Sequence, residues 1–189
     1  IKWSFQSILN QPDLQTLLLT LQNSKIETRN VGWFNSVEKY RKYFVYTNFY
    51  LQAYSKLQTY HTILLSGPAK SGKTFTADNL IYNYIGEYGF SPFKIDTPDE
   101  IEQFFRAESK QLFFCDDAFG SHRLSYTNAD DWNRKIEGIL SLANDTHKFI
   151  FTSREHVYNA FRSYSTNFSG NYLEKIVVNN ENLSNPEKS

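Results

Sequence analysis

The sequence predicts an α/β fold, a three-layer arrangement of a parallel sheet with helices on both faces. Three observations predict it. Short continuous apolar runs, "TILLS", "LFFC" and "FIF", read as strands buried on both sides. Segments with apolar residues three or four apart alternate with these runs, as the crossover helices of a parallel sheet require. Sixteen Phe and thirteen Tyr among 189 residues provide the apolar area that a disordered chain lacks.

The elements follow in order. In "NQPDLQTLLLTLQNSK" Pro12 suits a first helical turn, and Leu14, Leu17, Leu18 and Leu21 share one face, so residues 1–43 read as a helical lead-in. A turn at "NVGW" precedes "SVEKYRKYFVYTNFYLQAYSKLQ", where Val45, Phe49, Ala53 and Leu57 recur every four residues and predict a helix from about residue 47. A strand is expected over 62–66, a helix from Lys73 to about residue 85, and a short strand near "PFKID". "TPDEIEQFFRA" opens with Thr97 and has Glu100 three residues on, a capping box. "QLFFCDD" is a strand ending in two acids, "GSHRLSYTNADDW" a polar loop, and "NRKIEGILSLAN" a helix. "KFIFTSRE" is a second buried strand, "HVYNAFRSY" a helix, and "EKIVVNN" the last strand of a domain spanning 44–180.

Residues 67–74, "GPAKSGKT", fit the pattern G-x-x-x-x-G-K-[ST] between a strand and a helix. A triphosphate needs N–H groups converging on it, and Gly67 and Gly72 let the backbone of Pro68, Ala69, Lys70 and Ser71 bend around it. The helix start at Lys73 adds a positive dipole end, the Lys73 ammonium meets the β- and γ-phosphates, and Thr74 offers a hydroxyl to Mg2+, with Phe75 next in line. Such a loop takes an acid from the end of another strand as its metal partner. "LFFCDD" supplies Asp116 for the Mg2+ shell and Asp117 to orient the attacking water, or, in the structural alternative, to cap the strand exit. Aspartate has a shorter reach than the glutamate of fast ATPases, so slow turnover is expected. In "FIFTSRE" Arg154 stands at a strand tip, on the edge where ligands bind, and either senses a γ-phosphate or pairs with a neighbouring acid.

Composition bounds the partners. Twenty basic and twenty acidic side chains cancel, so no global field favours nucleic acid or an anionic membrane. Cys115, the single cysteine, has no internal disulfide partner, and no apolar run reaches the roughly 18 residues of a membrane span. A reducing, cytoplasmic location is expected. The chain begins at Ile1 and has no methionine, and it reads as a piece of a longer protein.

At these motifs the sequence resembles the STAND class of P-loop NTPases, signal-transducing ATPases with numerous domains, and most of all the branch called novel STAND NTPase, third type. "IKW", "FVYTNFYLQAYSKL", "GPAKSGKT", "LFFCDDAFG" and "FIFTSREHVYNAF" resemble segments of that family in the same order. The resemblance implies a five-stranded parallel sheet in the order 5-1-4-3-2, as in AAA-like ATPases. It also implies a slowly hydrolysing ATP switch, alternating between ATP and ADP with Mg2+, in multidomain proteins many of which act in prokaryotic antiviral defence. Lys73, Thr74, Asp116, Asp117 and Arg154 match the phosphate, metal, water and sensor positions, and Phe44 and Val45 lie where the approach to the first helix flanks adenine. Ala69 and Lys70 depart from the glycine-richer loop of that family, and Lys70 is expected to face solvent. The tail, residues 181–189, falls where such proteins enter a helical or winged-helix lid. The resemblance implies that lid, effector and sensor domains as partners in the same chain, and oligomerisation of the activated full-length protein.

Other readings fare less well. "DAFG" fits the D-x-x-G of GTPases, but the position of a guanine-reading N/T-K-x-D sequence holds "TSRE". A small-molecule kinase needs an arginine-bearing lid, for which the polar loop offers only Arg123. A DNA-dependent ATPase of the helicase-loader type shares the fold and is the principal alternative, yet it needs stacking aromatics beside a basic groove. His61, His122, His147 and His156 lack metal-ligand spacing and suit surface or capping roles. Cys115 suits a buried filler, and Tyr126 and Trp132 suit either a partner surface or a loop anchor.

Overall fold

The computed structural model describes residues 33–35, 37, 43–165 and 171–180. The helix expected over 10–25 and the tail 181–189 lie outside the described residues. Among the described residues from Asn48 onward, five helices and four strands alternate, followed by a short helix and a last strand. Helix α1, Asn48–Tyr60, starts where the Thr47 hydroxyl accepts the Tyr50 N–H at 3.2 Å, and it ends where His61 turns left-handed and sends its N–H to the Leu57 carbonyl. Then come β1 (Thr62–Gly67), α2 (Lys73–Tyr88), β2 (Ser91–Ile95), α3 (Pro98–Phe104), β3 (Gln111–Cys115) and α4 (Tyr126–Ser141). The chain closes with β4 (His147–Arg154), α5 (Glu155–Tyr164), α6 (Asn171–Ile176) and β5 (Val177–Asn179).

Every strand pair is parallel, and the order is β2-β3-β4-β1-β5, the expected order read from the other edge. Central β1, β3 and β4 are buried along nearly their whole length, because successive residues face opposite layers and both layers are covered. Leu64, Phe113, Phe149 and Phe151 pack with Trp132, Ile136 and Phe161 beneath α4 and α5. Ile63, Leu65, Phe114 and Ile150 pack with Leu57, Ala77, Leu80 and Tyr84 beneath α1 and α2. Trp33, from the lead-in, joins this second layer, stacked on Phe114 at 5.6 Å and bonded through its indole N–H to Asp78 at 2.7 Å.

The expected capping box of α3 forms, with the Glu100 carboxylate accepting the N–H groups of Asp96 at 2.6 Å and Thr97 at 3.4 Å. Two boundaries differ from expectation. Helix α4 begins at Tyr126, inside the segment read as polar loop, because the Ser125 hydroxyl accepts the Asn128 N–H and starts the helix seven residues early. Its inner face, Ala129, Trp132, Ile136 and Ile139, is helical in spacing, so Trp132 is a fully buried core residue while Tyr126 stays exposed. At the far end, Glu174, Lys175 and Ile176 belong to α6, and the strand comprises only Val177–Asn179, whose three residues pair with Leu64, Leu65 and Ser66. Among the described residues no helix is long and apolar enough to cross a membrane.

Candidate nucleotide-binding site

Parallel pairing brings the C-terminal ends of three strands to one edge. The register sets Gly67 of β1 opposite Arg154 of β4, and Cys115 at the end of β3 opposite Phe151. The residues that follow these ends are therefore neighbours despite separations of thirty-five residues or more in sequence.

Between β1 and α2 the chain makes a tight loop with Pro68, Ala69 and Lys70 exposed. Gly72 takes φ 85° and Lys70 φ 61°, so the backbone is left-handed at two of its positions. Lys73 folds back under the loop and is only 7% exposed. Its Nζ donates to the carbonyl of Pro68 at 2.6 Å, the carbonyl of Gly67 at 3.1 Å and the Ser71 hydroxyl at 3.4 Å. Burial pushes its pKa below the ordinary lysine value, opposed by the nearby Asp117 carboxylate.

Asp116 follows β3 directly. Its Oδ1 accepts the Thr74 hydroxyl at 3.0 Å and the Thr152 hydroxyl at 2.5 Å. The Thr152 oxygen in turn accepts the Asp117 N–H at 2.9 Å, and its carbonyl accepts the Ala118 N–H at 3.1 Å. Asp117 holds φ 48°, unusual without glycine, and Gly120 closes the turn by donating its N–H to the Asp117 carbonyl at 2.8 Å. A methyl group on Gly120 would lie 2.2 Å from the Arg123 carbonyl oxygen, which restricts that position to glycine. Burial raises the Asp117 pKa, with a further push from Asp116, while Arg154 and Lys73 oppose it. Arg154 ends β4 and forms the N-cap position of α5.

The structure thus brings Lys73, Thr74, Asp116, Asp117 and Arg154 into one constellation. Phe44 and Val45 part company: the Phe44 ring meets Phe75 edge-on at 5.3 Å, whereas Val45 is 71% exposed. Phe44, Tyr46, Asn79 and Asn83 line a pocket of about 200 Å³ beside α2. Lys70 is exposed.

The residues fit a nucleotide and its metal. The loop holds an ammonium turned onto backbone carbonyls, weaker partners than phosphate oxygens, and Thr74 and Asp116 present two hard oxygens side by side. Among the described residues no cluster of three or more His, Cys, Asp or Glu could hold a metal. Mg2+ in nucleotide sites uses only one or two protein ligands beside phosphate and water, so a hydroxyl and one carboxylate suffice.

Two participants escaped the sequence reading as site residues. The sequence puts Thr152 at the tip of β4 beside Ser153 and Arg154 but gives it no task, and its hydroxyl is fully buried, as is that of Ser153. Asn180, just after β5, donates its side-chain N–H to the Ser71 carbonyl of the phosphate loop, and no motif announces it. Of the surface or capping roles expected of the histidines, a surface one is excluded for His147, which is 2% exposed, stacked on Phe105 and within 3.1 Å of the Arg106 carbonyl. Cys115 is buried and free, with its thiol pKa pushed up by burial.

Residues 44–189 match the family model described as Novel STAND NTPase 3. No curated protein matches the chain. Among solved structures it is similar to that of C. elegans PCH-2, at 14% identity and a TM-score of 0.40, over 86% of this chain and 43% of that one. The chain therefore spans less than half the length of that protein.

Proposed function

The chain belongs to the Novel STAND NTPase 3 family, and on that premise we propose that it is an ATP-binding, slowly hydrolysing switch module of a larger cytoplasmic protein. Nucleotide state then governs assembly or effector activation, in signalling or defence. The observation that carries this reading is the meeting of Lys73, Thr74, Asp116, Asp117 and Arg154 at one sheet edge, with the Thr74 hydroxyl 3.0 Å from Asp116.

Each residue has a task in this reading. Lys73 leaves its carbonyl partners for the triphosphate, a charge-assisted contact stronger than those it gives up. Thr74 and Asp116 hold Mg2+, which when bound neutralises charge developing on the phosphates. Asp117, fixed by its N–H to Thr152 and raised in pKa, orients a water and accepts its proton. Arg154 distinguishes triphosphate from diphosphate through its planar donor fork. A short acid and a water-orienting group in a half-buried position fit slow turnover better than rapid cycling.

Twenty basic side chains balanced by twenty acidic ones favour a switch over a DNA-dependent motor. Steady-state ATP turnover of the full-length protein with and without DNA separates the two. The switch predicts a low rate indifferent to DNA; strong stimulation by DNA alone contradicts it.

A further inference from the structure

Asn180 is where the backbone leaves β5, and it is 5% exposed. Two observations tie it to the phosphate loop, 109 residues away in sequence from Ser71, and a third shows its side chain only half satisfied. Its Nδ2 donates to the Ser71 carbonyl. A methyl group at Gly67 would come within 2.9 Å of the Asn180 Cβ, so the glycine leaves room for this side chain. Its Oδ1 is buried and has no hydrogen-bond partner among the described residues. A buried acceptor left open is costly and calls for an explanation.

Ser71 is gripped from two sides. Its hydroxyl takes the Lys73 ammonium at 3.4 Å, and its carbonyl takes Asn180. Resting on the nucleotide-binding role of this loop, we propose that Asn180 is a positioning residue that fastens the phosphate loop to the end of β5 and relays the loop's state to the chain beyond residue 180. When Lys73 turns to a phosphate, Ser71 loses its hydroxyl contact and the loop resettles around the remaining Asn180 bond. The open Oδ1 is the acceptor that the resettled loop uses. β5 suits the relay, since it is an edge strand of three residues and needs little energy to shift. Its start is pinned by the Lys56 ammonium, 2.6 Å from the Val177 carbonyl, which leaves movement to its C-terminal end. Asn180 itself does not touch the nucleotide in this scheme.

Amide hydrogen exchange with and without Mg-ATP, on the parent, Asn180→Ala and Asn180→Asp, tests the relay, with thermal melts to establish that each variant is folded. In the parent, nucleotide slows exchange in residues 67–74 and alters it in 177–180. In Asn180→Ala the protection at 67–74 persists, with affinity reduced by about tenfold, the size typical of lost supporting contacts, while the change at 177–180 disappears. Asn180→Asp keeps the shape but sets an oxygen against the Ser71 carbonyl, and it behaves as Asn180→Ala does. An undiminished response at 177–180 in either folded variant overturns the relay. A parent protected at 67–74 but unchanged at 177–180 also overturns it and leaves the nucleotide reading standing; a parent with no response at 67–74 overturns both.

Discussion

Thr152 of β4 donates its hydroxyl to the Asp116 carboxylate at 2.5 Å and receives the Asp117 N–H on the same oxygen at 2.9 Å. One side chain from the neighbouring strand thus fixes both acids at the end of β3. A hydroxyl is suited to this, because it donates and accepts at once.

Thr152→Val preserves volume and removes both bonds. Hydrolysis should fall about 10- to 100-fold, as for other losses of groups that orient a metal ligand, and stability by about 1–3 kcal/mol because the Asp117 N–H loses its acceptor. Thr152→Ser should retain most of both. Turnover assays and chemical denaturation of the three proteins check this, and a valine variant with parental turnover contradicts it.

Arg154→Ala should weaken ATP binding about tenfold more than ADP binding, the factor expected for a lost charge-assisted contact to one phosphate. Titration with each nucleotide measures the two losses. Equal losses would make Arg154 a structural residue of the α5 start.

Asp78 carries a pH signature. Burial raises its pKa from 3.8 to about 6, against the Trp33 indole N–H bond and the Lys94 charge, with Asp116 pushing further up. The fold prefers the protonated acid, so the folded state binds more protons than the unfolded one between these values, and stability falls as pH rises through the window. The span corresponds to about 3 kcal/mol at most. Asp78→Asn keeps an acceptor for Trp33 and lacks the titration. Relative to this variant, the parent should lose stability from pH 4 to pH 6 in urea denaturation, and a constant difference contradicts the assignment.

Trp132 is fully buried, edge-on to Phe151 at 5.2 Å, and its indole N–H has no partner among the described residues. Trp132→Ala should cost about 3–5 kcal/mol through the cavity it leaves. Trp132→Phe removes the orphan donor along with part of the ring and should cost much less. Thermal melts order the three proteins, and a phenylalanine variant as unstable as the alanine one would contradict the packing described.

Much of this was legible in the chain. Two-sided burial forces β1, β3 and β4 into continuous apolar runs, and phosphate binding forces glycine and lysine into one short loop, so local sequence records both. The start of α4 was hidden because its first turns expose polar side chains, leaving Ser125 and the spacing from Ala129 to Trp132 as the only cues. Thr152 and Asn180 were hidden for a different reason: their partners are set by strand register and by the return of β5 to β1, which no local pattern records. The separation of Phe44 from Val45 likewise depends on which side chain meets Phe75.

Titration of Mg-ATP into the folded parent and Lys73→Ala proteins tests most directly whether residues 67–74 hold a triphosphate. The parent should bind, and the variant, deprived of the ammonium that now rests on the Gly67 and Pro68 carbonyls, should lose affinity by about 100-fold or more. Equal affinity of the two proteins for ATP would contradict the assignment of the phosphate site.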